Sequence, residues 1–209
     1  MTHTLDGCFL GIDDGYFDIA YKKARLGHRT VLAGAVVCNN AFENLFLDVV
    51  TVDGLDALSV ASRIVEKTVA LHDIKAVFLD GVTYAGFNII DPDRLYAISS
   101  IPIVVVFRHK LELEKVREAL VNHFHDYKYR YGVIKKTYAR SFELHLTHIP
   151  TTIRVYAVGL NSDRVGKLLL KLCGIFADPL PLRIADKIAS ALGKIYVGQY
   201  FKEKRNEIN

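Results

Sequence analysis

Ile101-Pro-Ile-Val-Val-Val-Phe107 is the segment that most narrows the possible folds, because seven consecutive residues without a polar side chain leave no face for water. A strand that is apolar on both faces must be covered on both, which is the position of a central strand in a helix-flanked sheet. Two further runs, Ala76-Val-Phe-Leu79 and Cys8-Phe-Leu-Gly-Ile12, have the same character. Each ends on an acid, Asp80 or Asp13-Asp14, followed at once by Gly81 or Gly15. In an open α/β sheet the carboxyl ends of neighbouring strands converge on the crevice where ligands bind, so the pattern predicts that Asp13 and Asp80 face one shared site.

The remaining segments fill in such a sheet. Residues 30–38 and 45–52 read as strands, and Asn39-Asn40 before the second is a hairpin signal. Leu58, Ala61, Ile64/Val65 and Thr68/Val69 fall at helical spacing over 58–71, and a short helix is expected at 93–99. Residues 111–124 form a helix with Glu112, Glu114, Lys115, Arg117 and Glu118 on its wet side. Strands follow near 142–147 and 153–158. Asn161-Ser-Asp163 caps a helix that runs to about Cys173 and stops at Gly174, and Pro179 and Pro181 lead into a last helix over 182–196. The order predicts an α/β fold: a mixed sheet, antiparallel hairpin plus parallel strands, flanked by helices in a ribonuclease H-like arrangement. With 209 residues, 51% hydrophobic content and no linker, repeat or low-complexity tract, the chain 1–209 reads as one domain.

Three carboxylates are the candidate chemistry. Asp186 lies in the last helix at the border of a stripe made by Ala185, Ile188, Ala189, Leu192 and Tyr196, whereas Lys187 and Lys194 point to water. Gathering Asp13, Asp80 and Asp186 costs energy, since like charges ~4 Å apart repel by about 4 kcal/mol at an effective dielectric near 20. A divalent cation offsets this, and oxygen donors select Mg2+ or Mn2+. The plainer reading is that Asp-Gly at a strand end makes a turn, with Asp14 a cap and Asp178 a loop residue.

The rest of the chain narrows the choice of function. A net charge of +4 is compatible with a polyanionic partner and equally with an ordinary soluble protein. Cys8, Cys38 and Cys173 are far apart without CxxC spacing and read as reduced, buried thiols. No apolar run approaches the ~20 residues of a membrane span and no leader pattern opens the chain, so a soluble, cytoplasmic protein is expected. His109, His123, His125, His145 and His148 lack HExxH or paired CxxC spacing, which argues against zinc. No P-loop, dinucleotide fingerprint or Gly-x-Ser-x-Gly elbow is present. Tyr127-Lys-Tyr-Arg-Tyr-Gly-Val-Ile-Lys-Lys-Thr-Tyr138 interleaves aromatic and basic residues, as does a surface that stacks bases; an exposed strand with aromatics packed inward is the preferred reading, and the two are compatible.

Gly11-Ile-Asp-Asp-Gly15, Phe78-Leu-Asp-Gly81 with Tyr84-Ala-Gly-Phe-Asn88, Pro102-Ile-Val-Val-Val-Phe-Arg108 and Pro181-Leu-Arg-Ile-Ala-Asp186 together resemble an uncharacterised, mainly archaeal family that is distantly similar to endonuclease V. The resemblance covers nearly the whole chain. It implies Asp13, Asp80 and Asp186 as metal ligands and catalytic residues, Mg2+ or Mn2+ as cofactor, Arg108 or Lys110 as phosphate contacts, and DNA or RNA as the substrate of a phosphodiester-hydrolysing nuclease. It departs from endonuclease V in three places. The glutamate before the Asp80 strand is absent, with Asp53 or Asp56 to replace it and Asp14 as another candidate extra ligand; no Pro-Tyr-Ile-Pro wedge occurs; and no His follows Asp80-Gly81. The alternative is a non-catalytic nucleic-acid-binding or adaptor protein on a nuclease-derived scaffold.

Overall fold

The computed structural model describes residues 7–19, 28–147 and 151–208. Nine strands, β1 (Cys8–Asp14), β2 (Arg29–Cys38), β3 (Ala41–Thr51), β4 (Ile74–Asp80), β5 (Thr83–Tyr84), β6 (Asn88–Ile89), β7 (Ile103–Phe107), β8 (Phe142–Leu146) and β9 (Thr151–Val158), alternate with six helices among these residues. The helices are α1 (Ala57–Val69), α2 (Pro92–Ser99), α3 (Leu113–His123), α4 (Tyr127–Ala139), α5 (Ser162–Cys173) and α6 (Leu180–Ile208). Seven strands form one sheet in the order β3-β2-β1-β4-β7-β9-β8, and β5-β6 is a separate hairpin. β1 is antiparallel to β2 and β2 to β3, whereas β1, β4 and β7 run parallel and β9 and β8 return antiparallel. The mixed α/β sheet is the one expected. Asn39 and Asn40, at φ 52° and 65°, make the tight β2–β3 turn that such twisted hairpins require.

Strand parity splits the core. Leu10, Ile12, Val77, Leu79, Ile103, Val105 and Phe107 point to one face, with α1, α2, Leu120 of α3 and Val133 and Ile134 of α4. Phe9, Ala76, Phe78, Val104 and Val106 point to the other, beneath α5 and the start of α6. All five residues of β7 are buried, as its composition demands.

Glycine sets the approach of α6 to β1. A Cβ on Gly11 would lie 2.3 Å from the Pro181 carbonyl carbon, and one on Gly15 would lie 2.5 Å from Ala189 O. Backbone therefore rests on backbone, and α6 runs along β1 in the same direction. Leu182 meets residue 11 and Ala189 meets residue 15, so Asp186, four residues after the first and three before the second, is carried on the same helix face to the level of residue 13.

Two expectations are overturned. Tyr127–Ala139 is α4, not a strand. Its buried residues, Arg130, Val133, Ile134 and Thr137, recur at helical spacing, and this period outweighs the alternation of tyrosine with basic residues. Arg130 is structural: it pairs with Asp126 at 2.9 Å, donates to Gly54 O at 3.0 Å and covers the Phe124 ring. Secondly, Cys8 and Cys38 are joined by a disulfide rather than being free thiols, because the β1–β2 register places them directly opposite, Cα atoms 4.1 Å apart. Cys173 is free and buried. His148 lies outside the described residues.

Candidate metal-binding carboxylate site

Asp13, Asp80 and Arg108 sit at the carboxyl ends of β1, β4 and β7, three adjacent parallel strands, so all three reach the same edge of the sheet. Parity then chooses the face. Residues 9, 11 and 13 of β1 and 76, 78 and 80 of β4 point toward α6, whereas Asp14 points the other way and accepts from Ala85 N at 2.9 Å. Asp13, Asp80 and Asp186 line one pocket of about 10 Å3, joined by Arg108, Asp178, Leu182 and Arg183. That volume is close to one water-sized sphere.

Electrostatics mark the pocket. Asp13 is 7% exposed. Burial pushes its carboxyl up to about 8, Asp14 and Asp186 push in the same direction, and the Asp14 N–H at 2.9 Å and Arg108 oppose them. Asp14 is raised to about 6, again mainly by burial. Tyr84, fully buried, is pushed well above its ordinary range by burial and by these two acids. An environment that disfavours the carboxylate anion so strongly is one in which an added cation gains most.

The arrangement is held by arginine. Arg108 donates from Nε to Asp80 Oδ1 at 3.2 Å, pairs with Asp80 Oδ2 through Nη2, and reaches Asp178 Oδ2 at 3.4 Å. The oxygens of Asp13, Asp80 and Asp186 do not all come within 4.8 Å of one another. Asp186 accepts from Ser190 Oγ at 3.3 Å and pairs with the exposed Lys187 at 3.1 Å.

Asp178 and Arg183 were missed in the sequence. Asp178 is in a loop as expected, yet the turn before α6 folds it into the pocket. Its Oδ1 and the Nε of Arg183 are buried without a hydrogen-bond partner among the described residues, and Arg183 stacks 3.8 Å over Phe176. The sequence signal was slight: an acid immediately before a proline-led helix.

Other expected ligands lie elsewhere. Asp53 accepts from Phe87 N at 2.9 Å, and Asp56 accepts from Thr51 Oγ1 at 2.8 Å and Asn88 Nδ2 at 2.6 Å, so both tie the β3–α1 turn to the β5–β6 hairpin. Asp14, turned to the opposite face, does not line the pocket either. Lys110 borders a neighbouring cavity of about 330 Å3 with Phe107, His109, Tyr138, Glu143, Thr152 and Arg154, and Arg108 belongs to both spaces. The donor set fits a small hard cation: four carboxylates, one with an orphaned buried oxygen, and no sulfur or imidazole.

Comparison with known proteins follows the same lines. The endonuclease dU family matches this chain over residues 8–193. A UPF0215 protein of Thermococcus gammatolerans is 35% identical over 198 residues, 93% of this chain and 94% of its own. A crystal structure of a protein of unknown function from Archaeoglobus fulgidus superposes with a TM-score of 0.74 at 28% identity, covering 89% of this chain and 98% of that one. Endonuclease V of Ciona intestinalis, solved with DNA containing an inosine followed by a ribo-adenosine, gives a TM-score of 0.57 at 13% identity, covering 100% and 90%. That last likeness is one of fold. No helix among the described residues is long and apolar enough to cross a membrane.

Proposed function

The chain belongs to the endonuclease dU family, and from this we propose that it is a divalent-cation-dependent endonuclease that hydrolyses phosphodiester bonds in nucleic acid, with deoxyuridine-containing DNA the first substrate to try. The observation that carries the reading is the convergence of Asp13, Asp80, Asp178 and Asp186 on one cation-sized pocket. Asp13, Asp80 and Asp186 would hold Mg2+ or Mn2+, with Asp178 beside them. A cation there would supply Lewis-acid stabilisation of the phosphoryl oxygens and lower the pKa of a water.

The protein's own groups do the rest. Asp13, whose burial disfavours the anion, would be the ligand whose carboxylate form a cation in the pocket favours most. Arg108 exchanges its hold on Asp80 for a phosphate oxygen, for which its forked donors are suited, and Lys110 in the adjoining cavity contacts the next stretch of backbone. α6, locked on β1 through Gly11 and Gly15, keeps Asp186 aimed at the pocket.

Labelled single-stranded, duplex, branched, uracil-bearing and inosine-bearing substrates incubated with Mg2+ or Mn2+ test this. The expected result is cleavage that Asp80→Asn lowers by about 1000-fold, the equivalent of roughly 4 kcal/mol of transition-state stabilisation. No cleavage of any substrate, or cleavage indifferent to Asp80→Asn, overturns it. One observation favours the non-catalytic reading: Arg108 already bridges Asp80 and Asp178. That reading predicts nucleic-acid binding without cleavage or cation uptake.

A further inference from the structure

The amino end of β1 carries a second, chemically different cluster. Cys8 opens β1, Cys38 closes β2, and their register sets them face to face. His72 lies in the turn between α1 and β4, where its N–H donates to Thr68 O at 3.0 Å and its carbonyl accepts from Ile74 N at 3.0 Å. Ile74 is in turn the β1–β4 register partner of Cys8, so the turn delivers the imidazole beside the sulfurs. The two sulfurs and a ring nitrogen of His72 all lie within 4.8 Å of one another, and the three residues are half-buried. Asn44 of β3 sets its Nδ2 3.3 Å from His72 Nε2. No other trio of His, Cys, Asp or Glu among the described residues meets this spacing.

We propose that Cys8, Cys38 and His72 form a redox-gated site for one thiophilic divalent cation, Zn2+, closed while the sulfurs are bonded to each other and open once they are reduced. Two thiolates and an imidazole are three of the four ligands of a tetrahedral zinc centre, leaving one position for water. Zn–S bonds of about 2.3 Å set two sulfurs roughly 3.8 Å apart. Facing cross-strand side chains, with Cβ atoms typically about 4.5–5.5 Å apart, can supply that separation once the S–S bond is gone.

The chemistry balances. Two molecules of a small thiol are oxidised to their own disulfide, while the Cys8–Cys38 bond is replaced by two S–H bonds; entry of Zn2+ then releases those two protons. Half-burial leaves the sulfurs accessible to such a reductant. The site is independent of the carboxylate pocket: Cys8 and Asp13 are five residues apart on one strand, about 17 Å at strand rise, and hard cations prefer the oxygen site.

The test uses the full chain, reduced with excess dithiothreitol, desalted without oxygen, and titrated with Co2+ followed by Zn2+. One equivalent of Co2+ is expected to give thiolate-to-metal charge-transfer absorption that one equivalent of Zn2+ displaces, and the oxidised protein is expected to give none. Cys38→Ser removes the band, His72→Ala weakens Co2+ affinity by more than the roughly 10- to 100-fold typical of losing an outer-shell partner, because it removes a direct ligand, and Asp80→Asn leaves it unchanged. His72→Ala preserves both cysteines and so remains readable even if Cys38→Ser fails to fold. Absence of the band in the reduced protein, or a band of unchanged affinity in His72→Ala, overturns the proposal.

Discussion

Asp13 and Cys8 stand near the two ends of one seven-residue strand, and their surroundings differ in almost every physical respect. At the carboxyl end, backbone contact with α6 buries a group of hard oxygen donors and raises the proton affinity of Asp13 and Asp14. At the amino end, an antiparallel register brings two sulfurs and an imidazole together in a half-buried setting. The difference teaches that what a strand end presents depends on what packs across it. Where a helix backbone lies against the strand, charge is concentrated and desolvated; where only neighbouring strands and a turn meet, soft ligands remain within reach of solvent.

The strongest way to break this contrast is to push α6 off one end alone. Gly11→Ala places a methyl 2.3 Å from the Pro181 backbone, which neither strand nor helix can accommodate without moving. The expected cost is about 3 kcal/mol, at the upper end of overpacking effects, with loss of Mn2+ binding as Asp186 is displaced. Thermal unfolding and calorimetry check this, and the Cys8–Cys38 disulfide should form as before. A variant as stable as the parent, with its cation site intact, would show that α6 does not organise the pocket.

Changing pH sharpens the contrast, because it acts on the carboxylate end. Asp13 and Asp14 hold their protons in the folded protein up to about 8 and about 6, against 3.8 for an ordinary carboxyl. The folded state therefore binds more protons than the unfolded state across this window, and the stability of the metal-free protein falls as pH rises from about 4 to about 8. Differential scanning calorimetry should show the decline, Asp13→Asn should flatten most of it, and Mn2+ should stabilise increasingly at the alkaline end. A flat profile in the parent would contradict the burial of these charges.

The smallest effect comes from an acid that belongs to neither end. Asp56→Ala removes acceptors from Thr51 and Asn88 and is expected to cost about 1–2 kcal/mol in stability with no change in Mn2+ affinity. Urea unfolding alongside a binding isotherm separates the two. Loss of cation binding would return Asp56 to the ligand set.

Much of the pocket was legible because it rests on short periods. The apolar runs ending on Asp13 and Asp80 define strand ends, parity assigns both acids to one face, and the stripe of α6 puts Asp186 at its border. Asp178, Arg183 and the Cys8–Cys38 pairing were not legible, since each depends on a loop path or on a register that relates distant segments. α4 was misread for a different reason. Its tyrosines alternate at period two through residues 127–131, while the burial signal is carried by Arg130, Val133, Ile134 and Thr137, and an arginine that is buried by pairing with Asp126 does not register as apolar. Asp53 and Asp56 entered only as replacements for the glutamate that the family resemblance implies, and their carboxylates turn to the β5–β6 hairpin.

Calorimetric titration of Mn2+ into the oxidised protein at pH 8 tests the central claim most directly, since the disulfide closes the sulfur site and leaves the oxygen donors of the pocket as the strong ones among the described residues. The account predicts one site of micromolar or tighter affinity in the parent chain, abolished in Asp13→Asn. No heat of binding in the parent, or an isotherm that Asp13→Asn leaves unaltered, would contradict it.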